Sequence, residues 1–169
     1  MNWTFTYQRF VPGLLLVSTL VLPQTGSTQT DLPCEGRVAA VPMEAAAFRA
    51  VLDTIASGWN DARPDLAAGC FTDGAVYVEP PDRQVYRGRR AIRDFFAAST
   101  QQPQPDRMRW HAVAFDPVRQ IGFGEYTYRG RQNYHGIVAV RVQAGLIHRW
   151  REYQYGSPLS WDDFVGSSR

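Results

Sequence analysis

Glu79, Glu152, His111 and His135 are the side chains in this sequence whose types and settings suit proton transfer. Glu79 closes a short β-prone run, Ala75 to Glu79, directly before Pro80-Pro81. A carboxylate held among apolar neighbours loses the hydration that stabilises its anion, so its pKa climbs toward neutrality and it can act as a general acid or base. The competing reading is an exposed acid at a strand end, paired with Arg83 or Arg87. Glu152 lies in the run Leu146–Tyr155, where alternation puts Trp150, Glu152 and Gln154 on one face and Arg151 and Tyr153 on the other. An inward Glu152 needs a partner, whether a ligand, His111 or an arginine, and a purely structural ion pair is the alternative. Should the two acids face each other across a cavity, their pKa values separate and yield one acid and one base. His111 and His135 fall on neighbouring predicted strands and either shuttle protons near physiological pH or simply pack. Tyr77, Tyr86, Tyr126, Tyr128 and Tyr134 either donate phenolic protons to a ligand or face the core or a dimer partner. Alternation places Tyr126 and Tyr128 on one face and Glu125 on the other.

Other chemistries find no motif. The sequence has no CxxC, no Cys/His ligand spacing, no nucleophilic triad, no P-loop and no Gly-rich dinucleotide fingerprint, so neither a metal nor a cofactor is expected.

The elements that must position these residues are legible from periodicity. From Glu44 the apolar residues Phe48, Val51, Leu52, Ile55 and Trp59 recur at helical spacing. Pro64 suits a first helical turn, and Leu66, Ala67, Cys70 and Phe71 predict a short second helix that stops near Asp73-Gly74. Ala75–Glu79 reads as an edge strand, because the prolines that halt it cannot donate to a ladder. Gly88 precedes a third helix with Ile92, Phe95 and Phe96 on one face. Beyond Pro103 and Pro105 come four runs rich in β-branched and aromatic residues: Met108–Phe115, Gln120–Tyr128, Tyr134–Val142 and Leu146–Tyr155. The sum is an α+β domain, with three helices on one face of a curved, mainly antiparallel sheet.

The chain of 169 residues, 44% hydrophobic, suits one domain with a real core. Its basic residues are all arginine and the net charge is +2, too little to point to nucleic acid. Residues 1–30 have the three-part pattern of a secretory signal peptide: Arg9 is the only charge before Asp31, Phe10 to Leu22 is apolar apart from Ser18 and Thr19, and a small polar stretch follows. The apolar run falls short of a spanning helix, so no stable membrane insertion is expected after cleavage, and the product is secreted or periplasmic. A start at Met43 would instead leave a cytoplasmic domain. Residues 31–43 form a linker, 44–155 the domain, and 156–169 a tail whose Trp161 and Phe164 fold back as a lid or plug. Export would permit a Cys34–Cys70 bridge, although Cys70 on the apolar side of its helix also suits an inert buried thiol.

Several strings together resemble the SnoaL-like, nuclear transport factor 2-like superfamily. They are Phe71-Thr-Asp-Gly-Ala-Val-Tyr-Val-Glu-Pro, Tyr86-Arg-Gly-Arg-Arg-Ala-Ile-Arg-Asp-Phe-Phe, Gly124-Glu-Tyr-Thr-Tyr, Tyr134-His-Gly and Gly145-Leu-Ile-His-Arg-Trp-Arg-Glu-Tyr. The similarity spans about residues 44–155, and its nearest flavour is a set of bacterial SnoaL-like proteins. It implies a cone-shaped, cystatin-like α+β barrel with an apolar pocket between helices and sheet, and commonly a homodimer. It also implies that Glu79 matches the general base of ketosteroid isomerases and Glu152 an acid/base residue of SnoaL-type cyclases. Trp150 then points inward, and Trp59, Tyr77, Tyr126, Tyr128, His135 and Trp150 contact a small hydrophobic ligand, with Glu79, Glu152 and His111 as catalytic candidates. Ser57 and Trp59 stand near the family's oxyanion-hole tyrosine and Val138 replaces its protonated aspartate, which argues against authentic ketosteroid isomerisation. Fold does not fix function in such a family. The sequence reads as a ligand-binding, homodimeric protein without catalytic activity, with a cofactor-free isomerase, cyclase or dehydratase of a small hydrophobic carbonyl compound as the alternative.

Overall fold

The computed structural model describes residues 42–80, 84–101, 107–130 and 133–167. All of them belong to the second of two units into which the chain divides, Val38–Arg169. The export-like segment, Cys34 and Arg83 lie outside the described residues. So does all of the linker except its last two positions.

Helix α1 (Ala45–Asn60) buries Phe48, Leu52, Ile55 and Trp59, the residues that carry its helical period. Its ladder-side contact is close because glycines make room: a Cβ on Gly122 would lie 2.3 Å from the Phe48 ring, and one on Gly124 would lie 3.2 Å from Leu52. The end of the helix is pinned by Asn60, whose amide donates to the Met108 carbonyl at 2.9 Å while its oxygen accepts from the Met108 N–H at 2.8 Å. The short helix α2 (Pro64–Ala68) follows, then strands β1 (Phe71–Glu79) and β2 (Gln84–Arg87), helix α3 (Arg89–Thr100), strands β3 (Arg107–Asp116), β4 (Ile121–Arg129), β5 (Asn133–Gln143) and β6 (Leu146–Ser157), and helix α4 (Trp161–Phe164). The architecture is α+β, with a six-stranded sheet ordered β2-β1-β6-β5-β4-β3. All neighbours are antiparallel except β1 and β6. The four long strands predicted from the second half of the sequence occur with ends shifted by two residues at most.

Three expectations change in the first half and the tail. Phe71 begins β1 rather than closing α2, because it is wholly buried against Phe96, Tyr77 and Trp150 and pairs with Ile147. That tertiary burial outweighs a helical period supported by one short turn. Consequently β1 is an interior strand between β2 and β6, and the edge is formed by β2, a four-residue strand with no separate sequence signal. Pro80 ends β1 without marking an edge. Finally, the domain extends past residue 155 through β6 to Ser157 and α4.

Cys70 is a buried free thiol, 3.8 Å from the Leu66 carbonyl, and burial pushes its pKa up to about 11. Among the described residues no helix is long and apolar enough to cross a membrane.

Candidate functional site

The parallel pairing of β1 with β6 assembles the inner-face site. Tyr77 and Trp150 are cross-strand partners whose rings stack at 5.6 Å and 10°. Two residues further along each strand, on the same face, come Glu79 and Glu152. The sheet thus sets the two sequence-predicted acids side by side, and no arginine pairs with either among the described residues.

Their surroundings differ sharply. Glu152 is 2% exposed and is wrapped in donors. The Tyr77 hydroxyl donates to its Oε1 at 2.5 Å and the Trp150 indole N–H to the same oxygen at 2.7 Å. The Tyr126 hydroxyl donates to Oε2 at 2.8 Å, and the Tyr128 hydroxyl makes a long contact to Oε1 at 3.5 Å. Burial raises the pKa of Glu152, and these donors, which favour the anion, pull against that rise without cancelling it. The same burial holds the phenols of Tyr77, Tyr126 and Tyr128 well above their ordinary pKa, so all three keep their protons and serve as donors.

Glu79 has no such cage. Its Oε2 is shut off from solvent and has no hydrogen-bond partner among the described residues. Burial, with repulsion from Glu152 as the second cause, pushes its pKa up to about 8. At neutral pH Glu79 is therefore mainly a carboxylic acid with a proton to give, one step from being a base. This is the arrangement by which a pair of adjacent carboxyl groups divides into a proton carrier and a fixed partner.

The predicted ligand contacts resolve into two kinds. Tyr77, Tyr126, Tyr128 and Trp150 are at the site, but their polar atoms are spent on Glu152 and their rings are buried within the core, so the expected direct contact with a ligand gives way to packing. Trp59 sits among Phe95, Phe96 and Tyr128 as part of the surrounding aromatic wall. One contributor had no sequence signal of its own: Gly136, paired with Tyr126 across β4 and β5, where a Cβ would lie 2.7 Å from the Tyr126 hydroxyl. Glycine here lets that phenol reach Glu152.

His111 and His135 are placed away from the carboxylates. Trp110 points inward beside Tyr126, so the strand's alternation turns His111 to the outer face, where Thr127 and His135 also lie. There His111 Nε2 is 2.8 Å from Thr127 Oγ1, which is 2.8 Å from His135 Nδ1, and His135 Nε2 meets the Leu159 carbonyl at 3.1 Å. Burial and the nearby Arg109 lower the pKa of His111. The tail does fold back, but onto this outer face: Trp161 stacks on His111 at 3.8 Å and 4°, and Phe164 packs on His135 at 4.5 Å. It plugs no inner cavity. Among the described residues no group of three or more His, Cys, Asp or Glu side chains is disposed to hold a metal.

Residues 48–150 match the family model of the SnoaL-like domain. No curated protein matches the chain. Solved structures are similar at the level of fold. A protein with a cystatin-like fold from Methylobium petroleophilum PM1 has a TM-score of 0.62 at 20% identity, covering 75% of this chain and 93% of its own. A protein with a ketosteroid isomerase-like fold from Catenulispora acidiphila, solved in complex with trimethylamine, has a TM-score of 0.55 at 14% identity, covering 61% and 83%. An epoxide hydrolase of the LEH-like type from M. tuberculosis has a TM-score of 0.57 at 15% identity, covering 67% and 86%.

Proposed function

The chain belongs to the SnoaL-like family, and on that footing we propose that its inner face binds a small, largely apolar molecule and that Glu79 transfers a proton to or from it without a cofactor. The observation that carries this reading is the Glu79 Oε2 atom, buried and without a partner among the described residues, beside a carboxylate that is fully partnered. A buried polar atom left unsatisfied costs about 1–3 kcal/mol, a cost that a ligand hydroxyl, carbonyl or epoxide oxygen at that atom would relieve. With its pKa near 8, Glu79 exists in both protonation states close to neutrality, the condition for efficient general acid–base catalysis. Glu152 is a positioning residue here: burial is the main cause that keeps Glu79 protonated, repulsion from Glu152 adds to it, and the tyrosine cage fixes where the Glu152 carboxyl sits. The compounds in view are enolisable ketones, small hydroxylated carbonyl compounds and epoxides, for isomerisation, cyclisation, dehydration or ring opening. Among similar folds, one is an epoxide hydrolase and one holds trimethylamine, which agrees with a small-molecule site.

The same reading includes export through the apolar segment at residues 10–22 and a homodimer formed through the outer sheet face. Support for the dimer comes from Phe123, Ile137 and Tyr153, large apolar side chains that the sheet presents to solvent. A non-catalytic binding role is the second reading, favoured by the donor cage that leaves Glu152 without capacity for chemistry.

The test is a panel of enolisable ketones in deuterated water, with small epoxides alongside, followed by NMR. Exchange or ring opening that falls by about 10²-fold or more in Glu79→Gln supports proton transfer by this residue. Saturable binding of panel compounds with no Glu79-dependent turnover on any of them establishes the binding-only reading instead.

A further inference from the structure

A cleft of about 430 Å³ lies between the outer sheet face and α4, on the opposite side of the sheet from Glu79. Its floor carries Arg107 and Arg109 from β3 and Arg129 from β4. Arg107 and Arg129 are direct cross-strand partners, and Arg109 is two residues along on the same face. Like charges opposed across an antiparallel pair are destabilising. Elsewhere on the surface Arg49, Arg89, Arg93 and Arg119 each pair with an aspartate at 2.8–3.1 Å. None of the three cleft arginines has an ion pair among the described residues. Among the described residues that line the cleft there is one carboxylate, Asp162, against these three guanidinium groups, and Trp161 lines it as an aromatic wall held flat against His111.

We propose that this cleft is a binding site for a small organic anion, whose carboxylate or phosphate head is taken by Arg107, Arg109 and Arg129 and whose planar or apolar body rests on Trp161. A guanidinium presents a fork of N–H donors that matches carboxylate and phosphate oxygens, so an anion would turn a repulsive triad into a set of charge-assisted hydrogen bonds. The site is separate from the inner-face acids in residues, face and charge, and does not depend on the reading given to Glu79.

The experiment is calorimetric titration of the full chain with phenyl phosphate, and with benzoate to compare the two heads, at low and moderate salt. Saturable binding of either, weakened at least tenfold in Arg107→Gln/Arg129→Gln, weakened by added salt and unchanged in Glu79→Gln, supports the site. Arg109→Gln serves as a second variant and should weaken binding in the same direction, and circular dichroism checks that each variant is folded. Absence of saturable binding by both probes, binding indifferent to the arginine variants, or binding lost in Glu79→Gln overturns it. Inorganic phosphate binding as tightly as phenyl phosphate overturns the part assigned to Trp161, which Trp161→Ala tests directly.

Discussion

Two polar clusters sit on opposite faces of the same sheet, and they are finished to different degrees. On the outer face His111, Thr127, His135 and the Leu159 carbonyl form an unbroken chain of hydrogen bonds that ends in backbone. On the inner face four donors converge on Glu152, while its neighbour Glu79 keeps a buried oxygen with no partner among the described residues. Buried polar groups are almost always paired, so a complete network reads as structure and an incomplete one as a place prepared for something else. The type of residue is a poor guide to this distinction. Histidines invite a catalytic reading, yet here they anchor the tail, and the buried oxygen without a partner among the described residues belongs to a strand-end glutamate.

The comparison breaks most visibly if the cage around Glu152 is emptied. Replacing Glu152 with Leu keeps the volume but leaves the Tyr77, Tyr126 and Trp150 donors buried and unpaired, with an expected loss of about 3–9 kcal/mol from those three groups. Chemical denaturation measures it. Glu152→Gln retains an acceptor for Tyr77 and Trp150 and should cost much less. It should also lower the Glu79 pKa from about 8, since the repulsion that contributes to its rise is gone. A Glu152→Leu protein as stable as the parent would show that the cage contributes nothing to the fold.

The next effect is a dependence of stability on pH. Glu79 titrates near 8 when folded and near the ordinary 4.5 when unfolded. Below 4.5 both states hold the proton, so the group has no influence. Between 4.5 and 8 the folded state binds more protons than the unfolded one, and stability must fall as pH rises; above 8 the loss is complete. A gap of this width corresponds to a span on the order of 5 kcal/mol. Glu79→Gln should flatten that slope and be more stable than the parent at pH 9. Denaturation midpoints at pH 5, 7 and 9 for both proteins are the measurement, and parallel curves would contradict the raised pKa.

A smaller loss tests how the cage is built. In Gly136→Ala the added methyl would lie 2.7 Å from both the Tyr126 hydroxyl and the Tyr153 carbonyl. Because one of these neighbours is backbone, the strand must shift or Tyr126 must swing off Glu152, at a cost of about 1–3 kcal/mol. The tyrosine resonance in NMR should move with the loss of stability; an unchanged midpoint would show that the gap closes without strain.

What the sequence disclosed and what it withheld follow from the range of the interactions involved. The four long strands announce themselves through local alternation, and so do the faces of Tyr126, Tyr128 and Glu152. Glu79 could be singled out from its place before Pro80-Pro81. That it lies beside Glu152 depends on a parallel pairing between residues more than seventy positions apart, which no local period encodes. The same non-locality explains Phe71, where a weak helical pattern yields to a partner at Ile147. The outward turn of His111 follows from the burial of Trp110, its immediate neighbour, and strand alternation could have found it. The spacing Arg107-x-Arg109 could have marked a basic strand face, but its junction with Arg129 again requires the β3–β4 register.

The smallest of these effects isolates the outer chain. With His135 neutral, its Nε2 must carry the proton to donate to the Leu159 carbonyl, which leaves Nδ1 as an acceptor for the Thr127 hydroxyl. Thr127 Oγ1 then accepts from His111 Nε2–H, so every link has one donor and one acceptor. Thr127→Val preserves shape and removes both links at once, stranding His135 Nδ1 in a buried setting and His111 Nε2 in a partly buried one. The expected loss is about 1–2 kcal/mol, since the two imidazoles keep their packing against Trp161 and Phe164. If this face is structural, turnover or ligand binding that depends on Glu79 stays within twofold of the parent in this variant. A tenfold or greater fall in Glu79-dependent turnover, with the fold intact, would place the histidine chain in communication with the carboxylates across the sheet and undo the separation of the two faces.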